Sequence, residues 1–450
     1  VIRARLSVGL LAALALVAGA CGRSGTSSPT TAASSATSTT AATAKAGDFG
    51  TLSSVCGPGN ATGATDKGVT NTGIDVGTMA DPGATVSPGL DQELFDASTT
   101  FVKWCNAQGG ILGRQINLHL LDSALFNVKA RMTDACAQDF SLVGGGTAFD
   151  DSGVDTRVAC GLPDIPGYTN TPKASNAPLQ VQPTPYPTQQ GVVSQFLGFK
   201  HSFPGELKAG FLVGNLASVV VTKNRYKEGA QDVGFNVVYD ETYPVVGLTG
   251  AESYVQRMKA AGVQMLMMVS DDTALVSLLK GMQTVGWYPD AIVESANNYK
   301  STVWKNAGSA VKNVWVAIGF APFEAAGQVP AVKQFLDLSQ QYNPSGIVSA
   351  LSINSWNAWL MFAKAAAACG SNLTRACLLQ KGGSYTDWTG GGIEGPVSTN
   401  FANRQAQQCY AIVKASPTGF TVDNTFLPPN QGIYNCSPDN VVTLKGSYSS

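Results

Sequence analysis

Asn106-Ala107-Gln108-Gly109-Gly110-Ile111-Leu112-Gly113-Arg114 is the stretch on which the fold turns. Adjacent glycines let a helix end in left-handed backbone that a side chain disfavours, and they swing the chain tightly into the next element. Upstream, Leu90, Leu94, Phe95, Phe101, Val102 and Cys105 recur at helical spacing; downstream, Ile116 to Leu121 reads as a strand. The string is therefore a helix-to-strand connection, and the chain around it should alternate the two.

It does so in both directions. Ile74, Val76, Thr78 and Met79 form a strand before the helix. After the second strand come a helix carrying Val128, Met132, Ala135 and Cys136, a strand over 141–144, a helix over about 150–159 and a strand over 162–165. Past the proline-rich crossover at 182–187 the pattern repeats: strand 209–213, a helix through Arg225, strand 236–239, helix 251–261, strand 263–269, helix 273–285, and strands starting near Ala291 and Val314. The expected fold class is α/β, with two doubly wound parallel-sheet lobes joined by several crossovers. Ligand sites in such sheets lie beyond the carboxyl ends of the strands.

The ends of the chain read differently. Arg3 and Arg5 precede an apolar run from Leu6 to Ala18, then Gly19-Ala20-Cys21. The run is too short to span a bilayer core, which needs roughly 20 residues, and it fits a secretory signal. Cysteine directly after the small residues resembles a bacterial lipoprotein box, which makes Cys21 the expected lipid acceptor. The segment that follows is nearly all Ser, Thr, Ala and Gly, has nothing to bury, and reads as a flexible stalk. The expected organisation is signal 1–20, lipidated cysteine and stalk 21–47, first lobe 48–187 plus 346–394, and second lobe 188–345 plus 395–450. A net charge of −1 with no basic run argues against a nucleic-acid partner.

Nine cysteines less Cys21 leave an even set, which in an exported chain points to disulfides. The short turn between two helical stretches pairs Cys369 with Cys377, and in the tail Cys409 remains for Cys436. In a sheet ordered 2-1-3-4, Cys136 and Cys160 end neighbouring helices on one face. Cys105 ends the helix on the other face, where the entering segment carries Cys56. The expected pairs are therefore Cys136 with Cys160 and Cys56 with Cys105.

With strand two and Asp122 behind it, the nine-residue string resembles the NxxGGIxGR signature of type I periplasmic binding proteins, in particular the branched-chain amino-acid-binding branch that serves ABC importers. Leu142-Val143-Gly144-Gly145-Gly146, Leu162-Pro163-Asp164-Ile165-Pro166 and Gly395-Pro396-Val397 agree with that resemblance. It implies a hydroxyl-rich loop after strand three and backbone groups after strand four as ligand contacts, here Thr147, Ala148 and Phe149, then Gly167, Tyr168 and Thr169. Backbone N–H groups at a helix start favour a carboxylate there. Asp81, just past the end of strand one, faces the expected cleft and reads also as a turn-forming Asp before Pro82, whereas Asp150 and Asp151 read as helix N-caps.

In the second lobe Asn215, Ser218, Ser270, Asp271 and Asn297 stand at strand ends as candidate contacts, with Asp272 read as a helix cap. Glu294 falls about two residues before the acidic position that holds an ammonium in amino-acid-binding members. Leu216 and Val219 stand where an aromatic is expected, which points to a less polar ligand. Neither His119 nor His201 has a nucleophile or metal partner nearby in sequence, and no GxSxG, HExxH or Walker string occurs, so no enzyme, metal or cofactor is expected. The resemblance implies an exported monomer, tethered to the outer face of the membrane, that delivers an amino acid or a related carboxylate or amide to an ABC permease and its ATPase. The alternative is a sensor of the same fold that signals to a membrane partner without transport.

Overall fold

The computed structural model describes residues 45–205, 207–244 and 247–448; the expected signal, Cys21 and nearly all of the stalk lie outside them. The first lobe runs β1 (Gly73–Ala80), α1 (Gln92–Ala107), β2 (Gln115–Asp122), α2 (Val128–Gln138), β3 (Ser141–Val143), α3 (Asp151–Ala159), β4 (Asp164–Ile165) and a short α4 (Pro172–Ser175). Its sheet is parallel in the order β2-β1-β3-β4, the expected one.

The second lobe follows with β5 (Gln190–Val192), α5 (Ser194–Ser202), β6 (Lys208–Gly214), α6 (Ala217–Asp232), β7 (Asn236–Tyr243), α7 (Ala251–Ala261), β8 (Met265–Val269), α8 (Asp272–Val285), β9 (Ala291–Glu294), α9 (Ser301–Ala307) and β10 (Val314–Ile318). Then come α10 (Pro330–Tyr342), α11 (Ala350–Cys369), α12 (Arg375–Gly382), β11 (Cys409–Ser416), β12 (Gly419–Val422), β13 (Asn435–Cys436) and β14 (Val441–Thr443). The large sheet is ordered β12-β11-β10-β9-β8-β6-β7, with β13 on β11. Its β6 to β10 are parallel, but β11 and β12 add antiparallel, so this lobe is mixed at one edge. Beside it β14 pairs with β5.

The opening string has a local explanation. Gly109 and Gly110 have φ of 103° and 77°, and a Cβ on Gly110 would lie 2.1 Å from the Arg114 carbonyl oxygen. The Asn106 side chain brackets the start of β2, donating to the Ile116 carbonyl at 2.9 Å and accepting from its N–H at 2.8 Å. Arg114 is buried and donates to the carbonyls of Thr70, Gly370 and Gly63, locking three segments at the foot of the lobe.

The first lobe's core gathers Phe49, Phe101 and Trp104 around Trp356 and Trp359 of α11. Although it falls within 188–345, α10 also packs on this core, with the Phe335 ring 5.5 Å from Trp356. The disulfides are Cys56–Cys105, Cys136–Cys160, Cys369–Cys377 and Cys409–Cys436, the pairs that helix ends and short separations led us to expect. Among the described residues no helix is long and apolar enough to cross a membrane.

Candidate functional site

The carboxyl ends of both sheets face a cavity of about 470 Å³. From the first lobe it receives the loops after β1, β2, β3 and β4; from the second, the ends of β6, β8, β9 and β10; residues of β11 and the crossovers complete the wall. The lobes touch across it. Ser218 Oγ donates to the Ala148 carbonyl at 3.3 Å, and Lys300 reaches Glu93 of α1 at 3.3 Å and Asp272 of α8 at 3.4 Å.

Of the expected contacts, Ala148, Phe149, Gly167, Tyr168, Thr169, Ser270, Asp271 and Asn297 line this cavity. Four others do not. Asp81 is fully buried and staples three loops, accepting from Ser123 Oγ, the Leu125 N–H at 2.8 Å and the Ala148 N–H at 2.9 Å. Thr147 turns inward to a separate cavity of about 50 Å³ that it shares with Arg157 and Asp164. Asn215 is exposed and outside the cleft wall. Ser218 is buried and spends its hydroxyl on the lobe-to-lobe bond.

The capping expectations change as well. The Asp150 carboxylate accepts from the Asn170 and Thr171 N–H groups at 2.6 and 3.1 Å, holding the loop after β4 rather than capping α3. Asp271, not Asp272, caps α8, with the Ala274 N–H at 2.8 Å. Ahead of α3 the Ala148 N–H is thus spent on Asp81, and the Asp150 carboxylate stands at the helix start.

Several wall residues, Glu294 apart, had no signal in local sequence. Asp91 accepts from the Tyr168 hydroxyl at 2.7 Å. Glu394 accepts from Asn357 Nδ2 at 2.7 Å and from Thr184 Oγ1 at 3.1 Å. Tyr186, Tyr226 and Tyr410 line the same space. Glu294, at the end of β9, accepts from Asn298 Nδ2 at 2.8 Å and from Ser270 Oγ at 3.3 Å. Burial pushes all three acids up, Asp91 to about 7, Glu394 to about 8 and Glu294 well above the usual glutamate range, with their hydrogen-bond donors opposing the shift. Most of the remaining wall is apolar, including Leu90, Leu216, Val219, Met267, Val293 and Phe320.

A model of the family described as periplasmic binding protein matches residues 82–420, three quarters of the chain. This protein belongs to that family. No curated protein sequence matches it. Among solved structures, this binding protein is similar to the fatty acid ABC transporter substrate-binding protein from Thermomonospora curvata, at 16% identity and TM-score 0.67 over 86% of this chain and 95% of that one. It is also similar to the isoleucine-bound LivJ of a branched-chain amino acid transporter from Streptococcus pneumoniae, at 13% identity and TM-score 0.63 over 78% of this chain and 99% of that one. The leucine-binding protein LivK from Thermotoga maritima shares 10% identity at TM-score 0.62 over 78% of this chain and 97% of that one. The type I fold is common to all of them. The family is one of extracytoplasmic solute receptors, which accounts for two lobes around a cavity.

Proposed function

We propose that this protein is the solute receptor of an ABC importer and closes on a small organic molecule that is predominantly apolar. Its fold serves proteins named for ligands as different as fatty acid and isoleucine, so the ligand must be argued from the wall. One observation carries the reading: the cleft is large and mostly apolar, and in the loops after β3 and β4, where a zwitterion's carboxylate would be gripped, the N–H groups of Ala148, Asn170 and Thr171 are occupied by Asp81 and Asp150. Ala148, Phe149, Gly167, Tyr168 and Thr169 contact the ligand from one lobe and Ser270, Asp271 and Asn297 from the other. Closure follows from differential contact, since a ligand that touches both lobes stabilises the form in which they meet.

The remaining parts of the reading concern the setting. Cys21 carries a lipid, the stalk gives the lobes reach, and the monomeric protein hands its ligand to a permease and ATPase without chemical change. A thermal-shift screen of the purified protein against amino acids, amides, short carboxylates and apolar compounds tests the ligand class, because a ligand that binds only the folded form raises its melting point. An apolar compound should give the largest shift. A zwitterionic amino acid giving a larger one would overturn the reading.

A further inference from the structure

The cleft wall is unbalanced in charge. Among the described residues it carries four carboxyl groups, Asp91, Asp271, Glu294 and Glu394, and a single basic side chain, Lys300. Lys300 is already engaged by Glu93 and Asp272, so it is not available to a ligand's carboxylate. Around the acids, every hydrogen bond at Glu294 and Glu394 comes from an uncharged donor: Ser270, Asn298 and the Ser295 N–H at the first, Asn357 and Thr184 at the second. Both side chains are held as acceptors without a cation beside them.

Burying a carboxylate unpaired is costly, and the cost is relieved either by a proton or by a positive charge brought close. The anion side of the cleft points the same way. Three N–H groups of the loops after β3 and β4, those of Ala148, Asn170 and Thr171, are already spent on Asp81 and Asp150. The rings of Tyr168, Tyr226 and Tyr410 share the space with the acids, and aromatic faces attract cations, as the Arg225 guanidinium 4.1 Å from the Tyr186 ring illustrates. Ser295 also lines the cavity, and its buried hydroxyl has no hydrogen-bond partner among the described residues.

We infer that the cleft selects a compound with a hydrophobic body and a protonated nitrogen, and discriminates against free carboxylates. This rests on the receptor reading above and adds the charge of the ligand's polar end. Glu294 and Glu394 are the residues that read it, one from the second lobe and one from the crossover.

Calorimetric titration with octylamine, octanol and octanoate tests the inference at constant chain length. Octylamine should bind at least tenfold more tightly than octanoate, which corresponds to 1.4 kcal/mol, and more tightly than octanol. Glu294→Gln and Glu394→Gln keep the shape and remove the charge; each should weaken octylamine about tenfold and leave octanol within about threefold, as expected for loss of a charged hydrogen-bond partner. If either variant fails to fold, the amine-to-carboxylate ratio in the unaltered protein decides. Octanoate or octanol matching octylamine overturns the inference, as does a ratio unchanged in both variants. Octylamine failing to bind while another solute in the thermal-shift screen does leaves the receptor reading standing and removes the charge assignment. Failure of every compound removes both.

Discussion

Replacing Lys300 by methionine should cost far more than its position at a cleft edge suggests. Its ammonium spans the lobes, 3.3 Å from Glu93 and 3.4 Å from Asp272. The side chains of Lys300, Glu93 and Asp272 are 18%, 2% and 23% exposed. Burial by itself pushes Lys300 down, but the two carboxylates outweigh it and the net shift is upward, so the lysine is charged across the neutral range. Methionine keeps the apolar stem and removes the charge, leaving Glu93 buried without its cation, and the Glu93 Oε2 has no hydrogen bond among the described residues to begin with. Breaking a buried pair from one side costs about 3–5 kcal/mol; partial solvent access at Asp272 favours the lower figure. With an unfolding entropy of about 2.1 cal/mol/K per residue, a folded body of about 400 residues shifts by about 1.2 °C per kcal/mol, giving a fall of about 4–6 °C in calorimetry. The Glu93→Gln/Lys300→Met double variant should recover most of it, because both charges are then gone. A single variant melting within about 1 °C of the parent would refute the reasoning.

Two other outcomes follow from particular residues. Glu394 is raised from 4.5 to about 8 in the fold, so the folded state keeps a proton that the unfolded chain loses; stability present below pH 4.5 is lost as pH rises through 8. Glu394→Gln has no such loss, so its stability relative to the parent should climb between pH 5 and pH 9 by up to about 4 kcal/mol, and parallel urea midpoints across that range would contradict the assignment. Gly110→Ala should cost more than about 2 kcal/mol, since left-handed backbone alone costs roughly 1–2 kcal/mol and the added Cβ meets the Arg114 oxygen. Gly161→Ala, with φ of 68° and open space around it, should show only the backbone part; equal urea midpoints for the two would argue against the close approach.

Much of the first lobe was legible because its pattern is local. Helical and strand spacing placed β1 to β4 and α1 to α3 within a few residues, and chain connectivity then fixed which helix ends could meet, hence the disulfides. The antiparallel β11 and β12 were not found. Cys409 to Ser416 pairs with β10, nearly a hundred residues earlier, and nothing in its own spacing states that partner. The site divided in the same way. Loops after β3 and β4 gave Ala148, Phe149, Gly167, Tyr168 and Thr169, but whether a side chain faces the cleft depends on its neighbours: Thr147 turns beneath and Asp81 is drawn into a staple.

The sequence by itself determined the alternation of strands and helices, the sulfur pairing and the family, because each rests on short-range periodicity, on glycine backbone or on chain proximity. Only the tertiary structure decided the character of the cleft. Asp91, Glu294 and Glu394 come from three distant parts of the chain, and their meaning depends on sharing one cavity wall with tyrosines and a lysine already paired. Charge in a low-dielectric space is a property of what surrounds it, and those surroundings exist only once the lobes have come together.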